Sequence, residues 1–140
     1  MCKKYGADVM YTEFVSSDAL SRNVTKTKHK MTLFDFDRPV AIQIYGHDPE
    51  AMVAAARIAE EAAPDFIDIN FGCPVKKIVR RGAGAAMLLD LPGMQKMAES
   101  IVKAVNLPVT AKTRLGWDAS NKPVHEAALR LQDAGIAALA

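Results

Sequence analysis

The chain alternates between strand-like and helix-like stretches, in the order strand, strand, helix, strand, helix, strand, helix, strand. That alternation restricts the fold more than any other feature of the sequence. Strands joined through helices form right-handed βαβ units, and these build a mostly parallel sheet. The first strand is read over Asp8–Val15, rich in Val, Tyr, Thr and Phe, and the second over about Val40–Tyr45, closed by Gly46. Ser16 to Leu20 suits a short helix or turn, and "TKTKHKM" an exposed irregular segment. Asp48 suits an N-cap, Pro49 the first helical position and Glu50 the positive end of the helix dipole. The Ala-rich body that follows is strongly helical until Pro64.

"DFIDINFG" is the next strand. Met94, Met97, Ala98, Ile101, Val102 and Val105 then follow helical spacing, so about 92–105 is an amphipathic helix whose Met stripe packs in the core. "LPVTAKTRLG" reads as a strand and "GWDASNK" as a polar loop. "PVHEAALRLQDAG" is a helix with Pro123 near its start and Gly135 as its C-terminal cap, and "IAALA" begins another strand. The start, "MCKKYGADV", resembles the tail of a helix leading into a strand. A closed (β/α)₈ barrel needs about 250 residues. These 140 residues supply roughly half of one, and an open half barrel exposes strand edges and invites self-association.

Charge and cysteine content narrow the function classes. The 18 basic and 16 acidic residues nearly cancel, so net charge alone does not argue for nucleic acid. The basic residues are uneven, however, with Lys76, Lys77, Arg80 and Arg81 in one cluster and Lys26, Lys28, His29 and Lys30 in another. Two cysteines make neither a disulfide framework nor a zinc site, and His29, His47 and His125 have no metal-like grouping, so no metal is expected. A reducing, cytoplasmic setting is the default for such a chain. No apolar run approaches a membrane span, and no signal peptide is read at the start.

In parallel α/β folds, function gathers where strands end. Four tips here carry polar groups: Glu13, Gln43, Asn70 with Cys73, and Lys112 with Arg114. Period two puts Asp68 and Asn70 on one face, and Lys112 and Arg114 on one face with Thr113 opposite. Inward polar groups are costly unless they meet each other or a ligand. Gln43 and Asn70 can hydrogen-bond within the barrel, and Lys112 can pair with Asp68. Arg114 can sit at the rim, and Lys76–Arg81 can be a solvated loop. Cys73 can be a small buried hydrophobe, yet its place between Gly72 and Pro74 at a strand tip suits a reactive thiol better. The Gly82-Ala83-Gly84 run is either a flexible lid or a tight helix entry. Trp117 is a rim aromatic or a loop anchor.

"DINFGCPVKKIVRRGAGAAMLLDLP" closely resembles the motif of the tRNA-dihydrouridine synthases, most like their bacterial B-type branch. "GADVMYTEFVSSDAL", "PVAIQIYGHDPEAM", "PVTAKTRLGWD" and "DAGIAALA" fit the same family in the same order, so the resemblance covers essentially the whole chain. It implies a partial (β/α)₈ TIM barrel, about strands 2 to 6, as part of an FMN-binding catalytic domain. The first strand with its flavin loop, the last barrel strands with their phosphate loops, and a helical tRNA-binding domain would be missing, leaving an inactive piece.

The implied reaction is the reduction of uridine to dihydrouridine in tRNA, with FMN as cofactor and NADPH as reductant. Cys73 would be the proton donor, a role open to a thiol because a cysteine of ordinary pKa, about 8.5, is mostly protonated at neutral pH. Gln43 and Lys112 would contact the flavin. Asn70 would help position the uracil, Arg114 would contact substrate or cofactor, and Lys76, Arg80 and Arg81 would meet tRNA phosphates. Two other readings remain. One is another FMN barrel oxidoreductase of the dihydropyrimidine or dihydroorotate dehydrogenase type, against which "GCPVKKIVRRGAGAA" argues. The other is a truncated, non-catalytic chain that binds RNA through its basic loop.

Overall fold

The computed structural model describes residues 2–22, 27 and 29–140. Lys26 and Lys28 of the first basic cluster lie outside the described residues. The elements run β1 (Met10–Tyr11), β2 (Val15–Ser16), α1 (Ser17–Ser21), β3 (Val40–Tyr45), α2 (Pro49–Glu61), β4 (Phe66–Asn70), α3 (Lys76–Val79), α4 (Leu91–Ala104), β5 (Val109–Lys112), α5 (Val124–Asp133) and β6 (Ala138–Leu139). Every pairing among them is parallel, in the order β1-β3-β4-β5-β6, with β2 also on β3. The sheet curls into a half barrel with helices between its strands.

The expected strand over Asp8–Val15 is two short segments, both laid against β3. The interruption has a local cause at Thr12. Its N–H donates to the Ala41 carbonyl at 2.9 Å, and its hydroxyl then accepts the Gln43 N–H at 3.3 Å. A side chain takes a rung that backbone would otherwise supply. The start of the chain is a single 3₁₀ turn, Cys2–Tyr5.

Alternation along the strands separates two faces. Ile42, Ile44, Ile67, Ile69, Val109 and Ala111 turn toward the helices and join the core. There they meet Met52, Ala56 and Ala59 of α2, Met94, Met97 and Ile101 of α4, and Leu131 of α5. The Met stripe is therefore packing. Burying each of these larger side chains contributes about 1.5–3 kcal/mol. The opposite, concave face carries Ala41, Gln43, Asp68, Asn70, Thr110 and Lys112.

Helix ends are fixed as their residues require. The Asp48 carboxylate accepts the Ala51 N–H at 2.7 Å and caps α2. At the end of α5, Gly135 takes φ +89°; its N–H reaches the Gln132 carbonyl and that of Ile136 the Leu131 carbonyl, a Schellman ending. Between α2 and β4, Asp65 accepts the Val40 N–H at 2.7 Å and pairs with Arg38 at 3.1 Å, tying this turn to the start of β3.

Candidate active site

A line of hydrogen bonds crosses the concave face. Register places Gln43 beside Asp68, Asp68 beside Thr110, and Asn70 beside Lys112. The Thr110 hydroxyl donates to Asp68 Oδ1 at 2.5 Å, and Gln43 Nε2 donates to Asp68 Oδ2 at 2.6 Å. Asn70 Nδ2 donates to Gln43 Oε1 at 2.9 Å. Asn70 Oδ1 then accepts two backbone donors, Gly72 N–H at 3.1 Å and Cys73 N–H at 2.9 Å. Gln43, Asp68 and Asn70 are 7, 1 and 8% exposed. Burial pushes the Asp68 pKa up, while donation from Thr110 and Gln43 and the charge of Lys112 oppose that rise.

The segment after β4 is held on both sides of Cys73. Its N–H goes to Asn70, and its carbonyl accepts the Ala85 N–H at 3.0 Å. Close approach here requires glycine at position 84, where φ is +61° and a Cβ would stand 2.7 Å from the Cys73 carbonyl oxygen. The Gly82–Gly84 run is thus an entry, leading into the 3₁₀ turn Gly84–Leu89. Cys73 is 8% exposed and packs with Ile78, Ala83 and Tyr45.

The other expected residues fall around this centre. Lys112 sits exposed at the tip of β5, and no ion pair with Asp68 forms among the described residues. Arg114 and Lys76 share a cavity of about 280 Å³ with Pro74, Val79, Ala85 and Trp117, whose ring is a rim aromatic. Arg81 pairs with Asp18 at 3.2 Å across a second cavity of about 210 Å³, next to Lys77, His47 and Tyr45. Arg80 is exposed. Lys76 therefore lines one hollow and Lys77 with Arg81 the other. Glu13 pairs with Lys30 at 2.8 Å on the surface. Among the described residues, no group of three His, Cys, Asp or Glu is placed to hold a metal, and no helix is long and apolar enough to cross a membrane.

Sequence reasoning brought Gln43, Asn70 and Cys73 to one place. It left out Thr110, and the Lys112–Asp68 ion pair, one of the readings left open, does not form among the described residues; Gln43 and Thr110 hold Asp68 instead. The available signal was period two on β5, which puts Thr110 on the same face as Lys112. It also left out α3, whose four residues are too few to show periodicity.

The dihydrouridine synthase family model matches residues 1–140. The chain is 39% identical over all its 140 residues to tRNA-dihydrouridine synthase B of Pseudomonas putida, covering 42% of that protein. It is 37% identical to the proteins of the same description from Pseudomonas aeruginosa and Vibrio parahaemolyticus, again over the whole chain, covering 42% and 44% of them. The chain thus spans less than half the length of the curated relatives it matches.

Proposed function

The chain belongs to the dihydrouridine synthase family, and from that premise we propose that it carries the proton-donating thiol of a tRNA-dihydrouridine synthase. The observation that carries this reading is the Cys73 segment, clamped through its N–H by Asn70 and through its carbonyl by Ala85 at the mouth of the half barrel. On this reading residues 1–140 are part of an FMN-binding barrel, completed by further strands and a helical tRNA-binding domain. A tRNA-modifying role implies a cytoplasmic setting.

Two residues fit the flavin. Lys112 presents a cation at the mouth with no ion-pair partner among the described residues, which suits an anionic reduced ring. The Gln43 amide spends one N–H on Asp68 and one oxygen lone pair on Asn70, so an N–H and a lone pair remain for a ligand. FMN, reduced by NADPH, would supply the hydride to C6 of uracil.

This chain's own residues supply the rest. Cys73 Sγ–H would give its proton to C5, completing saturation of C5=C6, and the thiolate would regain a proton from solvent. Asn70 keeps one Nδ2–H beyond its bond to Gln43, and that donor would orient a uracil carbonyl. Arg114, Lys76, Arg80 and Arg81 would hold phosphates around a uridine drawn out of its stack.

A chimaera tests this: residues 1–140 replace the matching segment of the Pseudomonas putida relative, with FMN, NADPH and unmodified tRNA supplied. Nucleoside mass spectrometry should detect dihydrouridine with Cys73 and lose nearly all of it in Cys73→Ala. Formation unaffected by Cys73→Ala would remove the thiol from the mechanism. Preference for a free pyrimidine over tRNA would favour the dehydrogenase-type barrel instead. The burial of Cys73 against Ile78 and Ala83 favours one further reading, a structural cysteine in a chain that only binds RNA. RNA binding without any dihydrouridine formation would support it.

A further inference from the structure

We propose that Asp68 is a positioning residue that sets the orientation of the Gln43 and Asn70 amides and, through them, the placement of Cys73. Its catalytic consequence rests on the reading of Cys73 given above; its structural consequence does not. An amide side chain offers a donor at one end and an acceptor at the other, and packing alone hardly distinguishes the two. Two amides in series can therefore point either way unless something at the ends decides. Here both ends decide, and they agree.

At one end, both Asp68 oxygens accept, one from Thr110 and the other from Gln43, so Gln43 Nε2 is turned toward the carboxyl. Gln43 Oε1 then faces Asn70 and takes its Nδ2 donor. That leaves Asn70 Oδ1 toward the segment after β4, where Gly72 and Cys73 present N–H groups that can only donate. Thr110 fills the second oxygen of Asp68. Without an acceptor at position 68, Gln43 Nε2 is a buried donor with no partner. Its cheapest remedy is to swing away, and Asn70 then loses the acceptor that keeps its own oxygen on the segment. Among the described residues Asp68 makes no hydrogen bond to Cys73 or its segment, yet it ends a chain of bonds that closes on the Cys73 N–H.

The test compares Asp68→Leu with Asp68→Asn in this chain by amide hydrogen exchange. Met97 and Ile101, in the core of α4, serve as the reference for global opening. Asp68→Leu should speed exchange at Gly72 and Cys73 about tenfold relative to that reference, the loss of roughly one hydrogen bond. Asp68→Asn should recover most of the protection. Its carbonyl oxygen still accepts from Gln43, while the Thr110 hydroxyl turns to accept its N–H. Equal rates in both variants, or a change at Gly72 and Cys73 no larger than at the reference, overturns the proposal. Should Asp68→Leu not fold, Gln43→Leu cuts the same line one link further on and must loosen the same two amides, or the proposal fails. In the chimaera, Asp68→Leu should lower kcat about tenfold with little change in KM for tRNA, and Asp68→Asn should restore it. Altered exchange without altered dihydrouridine formation leaves the positioning intact and sinks the role given to Cys73.

Discussion

The Cys73 backbone is held by Asn70 and Ala85, so removing the thiol leaves that clamp in place and gives up only its packing with Ile78 and Ala83. Cys73→Ala should keep the thermal midpoint close to wild type while removing dihydrouridine formation, checked by calorimetry beside the nucleoside assay. Gly84→Ala should cost stability. The added Cβ would meet the Cys73 carbonyl oxygen at 2.7 Å in a backbone conformation that L residues avoid. The left-handed conformation alone costs about 1–2 kcal/mol, and urea denaturation should show at least that loss. Sequence marked Cys73, Asn70 and Gln43 because polar groups at strand tips need a reason. It did not show that Asn70 reaches the Gly72 and Cys73 N–H groups, or that Asp68 faces Gln43 rather than Lys112. Those facts depend on cross-strand register, which one strand's sequence does not carry.

Elements with strong local chemistry were legible. Asp48 and Pro49 located the start of α2, and Gly135 the end of α5. The 3₁₀ turns and α3 were not, because they are short and set by the contacts around them. α3 orders the basic cluster, and it carries a testable consequence. Lys76→Ala and Arg80→Ala should each weaken tRNA binding and reduce the slope of log affinity against log salt by about one, if each meets a phosphate. Arg81→Ala should also free Asp18. A filter-binding series in salt separates the three.

The turn before β4 has a pH signature. Hydrogen bonding from Val40 N–H, with Arg38 beside it, holds the Asp65 carboxyl below its usual pKa. Its contribution is therefore fully present above the unfolded value, about 3.9, and is lost as pH falls through the folded one. Urea midpoints should drop on acidification below about pH 4, and Asp65→Asn should flatten that part of the profile.

At the scale of the whole molecule, alternation of strand and helix was enough to give a parallel half barrel, since few topologies satisfy it. The split of the first strand was not foreseen, because it turns on one Thr12 hydroxyl. β6 is an exposed edge strand, with Leu139 partly open to solvent. Unpaired edges recruit other strands, so for residues 1–140 on their own, sedimentation velocity across a dilution series should show concentration-dependent association that Leu139→Lys reduces.

The register of β4 also bears on which sequence changes the molecule can absorb. Asp68 and Asn70 face the concave side only because Ile67 and Ile69 face the helices. Deleting or inserting a single residue within Phe66–Asn70 would exchange the two sets, putting isoleucines where Asp68 and Asn70 stand and a carboxyl group into the core. The exposed loop around Asp118–Asn121 carries no such parity. A scan of one-residue insertions and deletions along the chain should therefore tolerate the loop and reject the strand, even where point substitutions in the strand survive.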